Sequence, residues 1–292
     1  MKSEPRPSFY TPLRYPGGKG KLVPYVKALM EENDLVDGVY VEPYAGGAAV
    51  AMELVLQEYV RKIIINDISD GVASFWRSVL DDADALCSRI RKTRVTMKEW
   101  YRQKEIQGQP EEHNDLDLGF STFFLNRTNR SGILGAGVIG GKAQAGKWKL
   151  DARFNKDDLI LRIQAIARVR SRIEFHQMDA VRFLNTIAPA LPAKSLIYLD
   201  PPYYVKGSDL YLHHYQHNDH VKIAKRIARF KSKNWIVSYD NADEIHGMYS
   251  QFRSIVYGLS YSAQDRYKGA EVMFFSDTLD IPDTVGPMHL VA

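Results

Sequence analysis

The chain has 292 residues, of which 45% are hydrophobic and 25% charged, so it can build a packed core and does not have the composition of a disordered polymer. Its single cysteine, Cys87, excludes an internal disulfide framework and any metal site built from cysteines. The sequence has no apolar run long enough to span a bilayer, and its first residues, MKSEPRPSFY, lack the apolar region of a secretory signal. We therefore expect a soluble protein of a reducing compartment.

Positive charge is concentrated in the middle of the chain. The formal net charge is +4, but residues 73–171 carry 18 Lys and Arg against 12 Asp and Glu, whereas the flanks together carry 21 against 23. A basic segment is one expected footprint of nucleic-acid contact, and a solvated helical surface with a chance bias explains it equally well.

The flanks alternate between short apolar runs and helical patterns, and the end of the chain predicts an antiparallel strand pair. The predicted strands are Val39–Val41, Ile63–Asn66, Ile173–Phe175, Ser195–Leu199, Trp235–Ser238, Arg253–Tyr261 and Glu271–Ser276. The predicted helices are Lys21–Glu32, Ala48–Tyr59, Ala180–Ile187, His220–Phe230 and Asp243–Tyr249.

The middle third has a different pattern. Gly71–Tyr101 and Asp157–Arg170 predict long amphipathic helices, and Gly132–Gly146 predicts a glycine-rich loop. We therefore predict an α/β fold with a doubly wound, Rossmann-like sheet, formed by residues 1–72 and 173–292 and interrupted by a mostly helical insertion over residues 73–172.

The segment VEPYAGGAAVA, residues 41–51, predicts a strand, a tight turn and a helix. Glycines in such a turn let the backbone approach a ligand closely. Asp67 follows the next predicted strand at a spacing that suits a carboxylate binding a ribose diol. The glycine spacing is not GxGxxG, so a plain strand–helix turn stays an alternative.

The segment SLIYLDPPYY, residues 195–204, carries the sharpest signal. Its apolar run predicts a strand that delivers Asp200 to the carboxyl edge of the sheet, where open α/β sheets bind ligands. Pro201 and Pro202 stiffen the corner, and Tyr203 adds a flat ring. Two acceptors and an aromatic face suit the amino group of a planar base. A bare strand end is the alternative.

The segment LRYPGGKGKL, residues 13–22, precedes a predicted helix. Its glycines and Lys19 would meet an anionic group at the helix N-terminus, and a plain surface turn would explain them too. The Walker spacing is absent, which disfavours a nucleoside triphosphatase.

Taken in order, RYPGGK, EPYAGGAAV, NDIS, DPPYY and SYDNADEI…YSAQDRYKGAEVMFF resemble the motifs of the Dam-like, alpha-group DNA adenine-N6 methyltransferases over nearly the whole chain. The resemblance implies methyl transfer from S-adenosyl-L-methionine to an adenine flipped out of double-stranded DNA, in the cytoplasm of a bacterial or phage-infected cell. It implies that residues 73–172 recognise the target and that the flanks bind cofactor and catalyse. No metal, membrane or obligatory protein partner is implied.

The resemblance also implies roles for individual residues. Tyr15 and Lys19 would line the cofactor pocket, Asp67 would hold the ribose, and Asp179 would approach the cofactor adenine. Glu42, Pro43 and Tyr44 would surround the methionine end. The catalytic corner, with Asp200 also near the cofactor, would consist of Asp200, Pro201, Pro202 and Tyr203.

Recognition of DNA would fall to the stretch that contains FLNR. Asn126, Arg127 and Arg130 are predicted base or phosphate contacts, and Lys142 is a predicted contact within the glycine-rich loop. The alternative for Asn126 and Arg127 is that they brace the insertion. After Arg127 the sequence departs from the GATC-methylating members, so it predicts no target sequence.

Several alternatives stay open at this stage. His213, His214, His217 and His220 form a cluster that could bind a metal, although no acidic or thiol partner has ligand spacing there. They would more simply belong to a loop beginning at Lys206 and the helix after it. Other functions to weigh are methylation of RNA adenine, of cytosine N4 or of a protein amide, a nicotinamide dehydrogenase, and a catalytically silent DNA-binding module.

Overall fold

The computed structural model describes residues 10–14, 19–205, 215–259, 270–283 and 286–291. Within these ranges, eight strands form one sheet. The strands are β1 (Gly38–Glu42), β2 (Val60–Asn66), β3 (Ile173–His176), β4 (Ser195–Leu199), β5 (Asn234–Asp240), β6 (Arg253–Leu259), β7 (Glu271–Phe275) and β8 (Met288–Leu290).

The strand order is β3-β2-β1-β4-β5-β7-β6-β8. The first five strands in this order are parallel, whereas β7 lies antiparallel between β5 and β6. The order reverses direction between β1 and β4, and such a switch point opens a crevice at the carboxyl ends of the strands. The predicted α/β, Rossmann-like fold is confirmed.

All seven predicted strands are present, and the apolar runs of the central parallel strands suit a sheet buried on both faces. Every residue of β1 and of β4 is buried. One face packs on a core that includes Val41, Ile197 and Val237. Strand β6 is described to Leu259, so the predicted end at Tyr261 lies outside the described residues. The three-residue strand β8, which pairs with β6, was not predicted.

The described residues form ten α-helices. They are α1 (Val23–Glu32), α2 (Ala49–Leu56), α3 (Asp70–Asp81), α4 (Ala83–Lys92), α5 (Met97–Gly108), α6 (Asp115–Thr128), α7 (Lys156–Arg168), α8 (Ala180–Ile187), α9 (His217–Ile227) and α10 (Asp243–Met248). A 3₁₀ turn, Lys19–Leu22, precedes α1.

The prediction of a single helix over Gly71–Tyr101 was wrong. The chain breaks at Asp82, whose φ of −144° is not helical, and again between Lys92 and Met97. Thr96 starts α5 by accepting a hydrogen bond from the Glu99 backbone, which is the N-cap arrangement that a Thr-x-x-Glu sequence favours.

The helix predicted over Ala48–Tyr59 ends early. Helix α2 stops at Leu56, and Glu58 takes a left-handed φ of +61°, which turns the chain into β2 at Val60. The other predicted helices are present with ends shifted by no more than three residues.

The chain separates into two compact units. One comprises residues 1–18, 46–56 and 68–171 and is helical in its described part, and the other comprises residues 19–45, 57–67 and 172–292 and holds the sheet. The helical unit therefore takes in more of the chain than the predicted insertion over residues 73–172. In the part of the chain that the structure describes, no helix is long and apolar enough to cross a membrane.

Candidate active site

The carboxyl ends of β1 and β4 lie side by side at the switch point of the sheet. Val41 of β1 is in register with Ile197 of β4, so the residues that follow these strands emerge at one edge. Glu42 ends β1 and Asp200 directly follows β4. The topology thus brings the EPY and DPPY motifs to the crevice where open α/β sheets bind ligands.

Two side chains, those of Ser238 and Lys19, contact one carboxylate oxygen of Asp200. The Ser238 hydroxyl of β5 donates to Asp200 Oδ1 over 3.0 Å, and the Tyr198 hydroxyl lies 2.9 Å from Ser238 Oγ. Lys19 Nζ lies 3.4 Å from the same Oδ1. The pKa of Asp200 is raised to about 6, chiefly by burial and also by the charge of Glu271, against the opposing effects of Lys19 and of the Ser238 hydrogen bond.

The backbone after Asp200 is rigid. Pro201 and Pro202 are buried, and neither has a backbone N–H to donate. The amides of Tyr204 and Val205 are fixed by one carboxylate, because Asp240 at the end of β5 accepts from each of them over 2.8 Å. Asp240 therefore braces the corner, a role that the sequence did not predict.

Tyr203 is anchored at its hydroxyl. It donates to Glu271 Oε1 over 2.6 Å and accepts from Lys19 Nζ over 3.0 Å. Lys19 also donates to Glu271 Oε2 over 2.6 Å. Sequence reasoning missed Glu271, which lies 68 residues from Tyr203 in the chain and reaches it only because β7 returns beside β5.

The predicted methionine-end residues lie where β1 ends. Glu42 is buried and accepts from the Tyr40 hydroxyl over 3.1 Å. The Tyr44 hydroxyl lies 2.9 Å from that of Tyr215, with the rings edge to face. The Pro43 carbonyl accepts from the Asn66 side chain over 3.0 Å.

Asn66 ties together the ends of the neighbouring strands. Its side chain also donates to the Met178 carbonyl and accepts from the Met178 amide, over 3.0 and 3.1 Å. Asp67 follows at the end of β2, and its backbone amide donates to the His176 carbonyl of β3 over 3.2 Å. Asn66, which the sequence did not single out, thus places Asp67 at the same edge of the sheet.

Asp179 and Tyr15 complete the predicted cofactor set. The exposed Asp179 caps helix α8 by accepting from the Arg182 backbone over 3.0 Å. Tyr15 lies outside the described residues. The structure thus brings Lys19, Glu42, Pro43, Tyr44, Asp67, Asp179 and Asp200 to strand ends or turns of the sheet unit, and their roles toward a cofactor stay predictions.

Asn126 and Arg127, predicted DNA contacts, are buried in the helical unit. Asn126 accepts from the Arg14 amide over 2.7 Å and donates to the Arg14 and Gly132 carbonyls over 2.6 and 2.9 Å. Arg127 Nε donates to the Pro12 carbonyl over 2.7 Å. Because these bonds hold both side chains inside the protein, they favour bracing over contact with DNA.

Arg130 and Lys142 are exposed. The loop that begins at Arg130 turns back so that Val138 forms an isolated antiparallel β-bridge with Asn129. The Gln144 side chain then braces the loop by donating to two nearby carbonyls over 2.7 Å each. The predicted glycine-rich loop is confirmed, and contact of Arg130 and Lys142 with DNA stays a prediction.

The histidine cluster falls partly outside the described residues, which exclude Lys206, His213 and His214. His220 is buried and its Nδ1 lies 3.0 Å from the Tyr239 hydroxyl. Burial lowers the pKa of His220 to about 4. Within the described ranges, no three His, Cys, Asp or Glu side chains are grouped as metal ligands.

Comparison with protein families decides between the remaining alternatives. Residues 15–262 match the model of the D12 class N6 adenine-specific DNA methyltransferases. This chain belongs to that family. Its activity is therefore the methylation of adenine N6 in DNA, and the dehydrogenase, amide and cytosine alternatives are set aside. The matched stretch contains the DPPY corner and ends before Glu271.

Individual relatives are more distant. Over 205 residues the chain is 23% identical to the Type II methyltransferase M.MjaIII of Methanocaldococcus jannaschii, covering 65% of this chain and 68% of that protein. Two solved structures of the rRNA methyltransferase aviRa from Streptomyces viridochromogenes align with TM-scores of 0.40 and 0.39 at 11% and 12% identity. These alignments cover 92% and 90% of this chain and 90% and 87% of those chains.

Proposed function

We propose that the protein methylates adenine within a specific short sequence of double-stranded DNA, with S-adenosylmethionine as donor and the reacting amino group held at the Asp200–Pro201 corner. One observation carries this proposal. At the carboxyl end of β4, a carboxylate with a pKa of about 6 adjoins a carbonyl that belongs to a stiff Pro-Pro pair and an anchored tyrosine ring.

The carboxyl edge of the sheet supplies the donor set that this cofactor needs. The Asp67 and Asp179 carboxylates would accept from hydroxyl and amino groups, and the buried Glu42 would face a cationic end. Lys19 would close the pocket beside the corner. When bound, the cofactor supplies a methyl group activated by a sulfonium charge.

Asp200 and Pro201 would act on the adenine amino nitrogen. This nitrogen is a poor nucleophile because its lone pair is delocalised into the ring. Among the described residues, both polar contacts of the Asp200 carboxylate are to Oδ1, which leaves Oδ2 to accept one N–H while the Pro201 carbonyl accepts the other. Two such bonds favour a pyramidal nitrogen with an available lone pair, and fixed orientation recovers roughly 7–11 kcal/mol of barrier.

Asp200 would also receive the proton that the reaction releases. Once the new N–C bond has formed, the nitrogen carries one proton too many. Asp200 Oδ2 already accepts a hydrogen bond from that nitrogen, and a carboxylate with a pKa of about 6 takes up a proton more readily than one at its ordinary value. The proton then passes to water.

The target adenine must leave the duplex to reach this corner. Flipping costs a few kcal/mol, which stacking on the Tyr203 ring would partly offset. Recognition of the surrounding bases would fall to the helical unit, where Arg130 and Lys142 are the exposed cations among the predicted contacts.

A methyl-transfer assay tests the proposal. Purified protein is incubated with tritiated S-adenosylmethionine and genomic DNA that lacks adenine methylation, and the digested nucleosides are separated. We expect label in N6-methyladenine, no label with Asp200→Ala, and a single consensus site when the product is sequenced with modified-base detection. Label in N4-methylcytosine, or label in RNA but not in DNA, would refute it.

A further inference from the structure

We propose that Glu271 is a positioning residue for methyl transfer: it fixes the Tyr203 ring and draws Lys19 toward itself, so that Asp200 stays a strong hydrogen-bond acceptor. The inference rests on the proposed function of the Asp200 corner. It assigns a role to a residue that lies outside the DPPY motif and on the strand that returns antiparallel to β5.

The position of Glu271 is fixed by the backbone on both sides. It is the first residue of β7 and is in register with Asp240 of β5 and Tyr257 of β6. Its side chain is only 13% exposed. Asp240 accepts from the backbone that follows Tyr203, and Glu271 accepts from the Tyr203 hydroxyl. The carboxylates of this register pair therefore fix both the backbone and the ring of the corner.

Both Glu271 oxygens accept hydrogen bonds, one from Tyr203 of the corner and the other from two side chains beside it. Oε1 accepts from the Tyr203 hydroxyl over 2.6 Å. Oε2 accepts from Lys19 Nζ over 2.6 Å and from the Tyr257 hydroxyl over 2.7 Å. A carboxylate that accepts three donors from three elements is rigid, and it passes that rigidity to the ring on which the target base would stack.

Lys19 is shared unequally between two carboxylates. Its Nζ lies 2.6 Å from Glu271 Oε2 but 3.4 Å from Asp200 Oδ1. Burial alone would lower the pKa of Lys19, but the two carboxylates raise it well above its ordinary value, so Lys19 stays charged. Burial alone would raise the pKa of Glu271, but the charge of Lys19 and the three hydrogen bonds hold it below its ordinary value.

The consequence falls on Asp200. The Glu271 charge raises the pKa of Asp200 directly, and by attracting Lys19 it also weakens the ion pair that would lower that pKa. Asp200 therefore stays basic enough to accept from a weak donor such as an aromatic amine. The titratable and hydrogen-bonding groups that face Asp200 are Lys19, Tyr40, Tyr198, Tyr203, Ser238 and Glu271.

Two variants of Glu271 test separately the effect of its charge and the effect of its side-chain length. Glu271→Gln keeps the length and an acceptor for Tyr203 but removes the charge. The acid limb of the pH profile of the single-turnover methylation rate reports the ionisation of Asp200. We expect this limb to move about one pH unit lower in Glu271→Gln, because a negative charge near Asp200 is lost and Lys19 moves to Asp200. The matched control is Tyr257→Phe, which removes a hydrogen bond to Glu271 but no charge and should leave the limb in place.

Glu271→Asp keeps the charge and shortens the side chain by one methylene, so it loses the bond to Tyr203. We expect the rate at saturating cofactor to fall about tenfold, because displacements near 1 Å are costly in oriented reactions, with the acid limb within about 0.3 pH units of the wild type. If circular dichroism shows that Glu271→Gln is unfolded, Glu271→Asp is the variant that tests the proposal.

The inference is overturned if Glu271→Gln keeps the wild-type acid limb or if Glu271→Asp keeps the wild-type rate. Failure of the proposed function is distinguishable, because then the wild-type protein itself would give no N6-methyladenine. A purely structural role of Glu271 would lower the melting temperature and the rate of both variants without moving the limb.

Discussion

Substitution of Asp200 by Asn is the sharpest perturbation of the corner, because it keeps the shape and changes only charge and donor character. Ser238 donates to Oδ1 and the Lys19 ammonium lies 3.4 Å from the same oxygen, so the amide oxygen of the variant is expected to stay on that side. The new NH₂ group then occupies the Oδ2 position. There it would face the N–H groups of the adenine amino group, and two donors do not form a hydrogen bond with each other.

The size of the effect follows from what is lost. A hydrogen bond to a charged acceptor contributes about 1.5–3 kcal/mol, and the opposed donors add a penalty of about 1 kcal/mol or more. Together they amount to roughly 2.5–4 kcal/mol of transition-state stabilisation, so the methylation rate is expected to fall by roughly 10² to 10³.

The assay is single-turnover transfer of tritiated methyl to duplex DNA at saturating cofactor, with cofactor affinity measured separately by calorimetry. We expect the dissociation constant for S-adenosylmethionine to change by less than about fivefold, since one hydrogen bond near the donor is altered. The control is Asp243→Asn at the exposed start of α10. A rate for Asp200→Asn within threefold of the wild type would refute the assigned role.

Further predictions concern pH, cofactor and DNA. The wild-type single-turnover rate should rise with pH through about 6, because the Asp200 carboxyl must be ionised to accept the amino group, and a rate that is flat from pH 5 to 8 would argue against this. Asp67→Asn should weaken S-adenosylmethionine binding about tenfold or more by calorimetry, and unchanged affinity would contradict the ribose role. Asn126→Ala should lower the free energy of unfolding by about 2–4 kcal/mol in urea titration, since the buried Asn126 side chain loses three hydrogen bonds, and a purely DNA-contacting Asn126 would leave it unchanged. Arg130→Ala should weaken DNA binding and lessen its salt dependence without changing the free energy of unfolding, and unaltered affinity in footprinting would remove Arg130 from the contact set.

The sheet was predictable because its signals are local. The run SLIYL has no polar residue apart from its first serine, so it suits only a buried environment, and two prolines mark where β4 stops. The place of Asp200, Pro201, Pro202 and Tyr203 after β4 was predictable from the same segment, because these residues are neighbours in the sequence.

The helical unit was harder because helix breaks depend on single residues. The pattern over Gly71–Tyr101 keeps its apolar period across Asp82, which the structure shows to be non-helical. The Thr-x-x-Glu sequence of residues 96–99 marks the start of α5 inside that pattern. Periodicity alone cannot distinguish one helix from three helices that bury the same face.

Contacts between distant parts of the chain were the main omissions. For Asn126 the sequence left both DNA contact and bracing of the insertion open, because the Arg14 backbone to which its side chain bonds lies 112 residues away. Glu271 was missed because its partners Lys19 and Tyr203 are 252 and 68 residues distant. Nothing local distinguishes a strand-initial glutamate that faces solvent from one that anchors a catalytic corner.

The central claim is that the adenine amino group is held between Asp200 and the Pro201 carbonyl. The most direct measurement is a crystal structure of the protein with a non-reactive cofactor analogue and a duplex that carries the mapped target site. We predict an extruded adenine whose N6 lies within about 3 Å of both Asp200 Oδ2 and the Pro201 oxygen, with its ring stacked on Tyr203. An adenine that stays stacked in the duplex, or an N6 that is bound elsewhere while the corner contacts only protein, would contradict it.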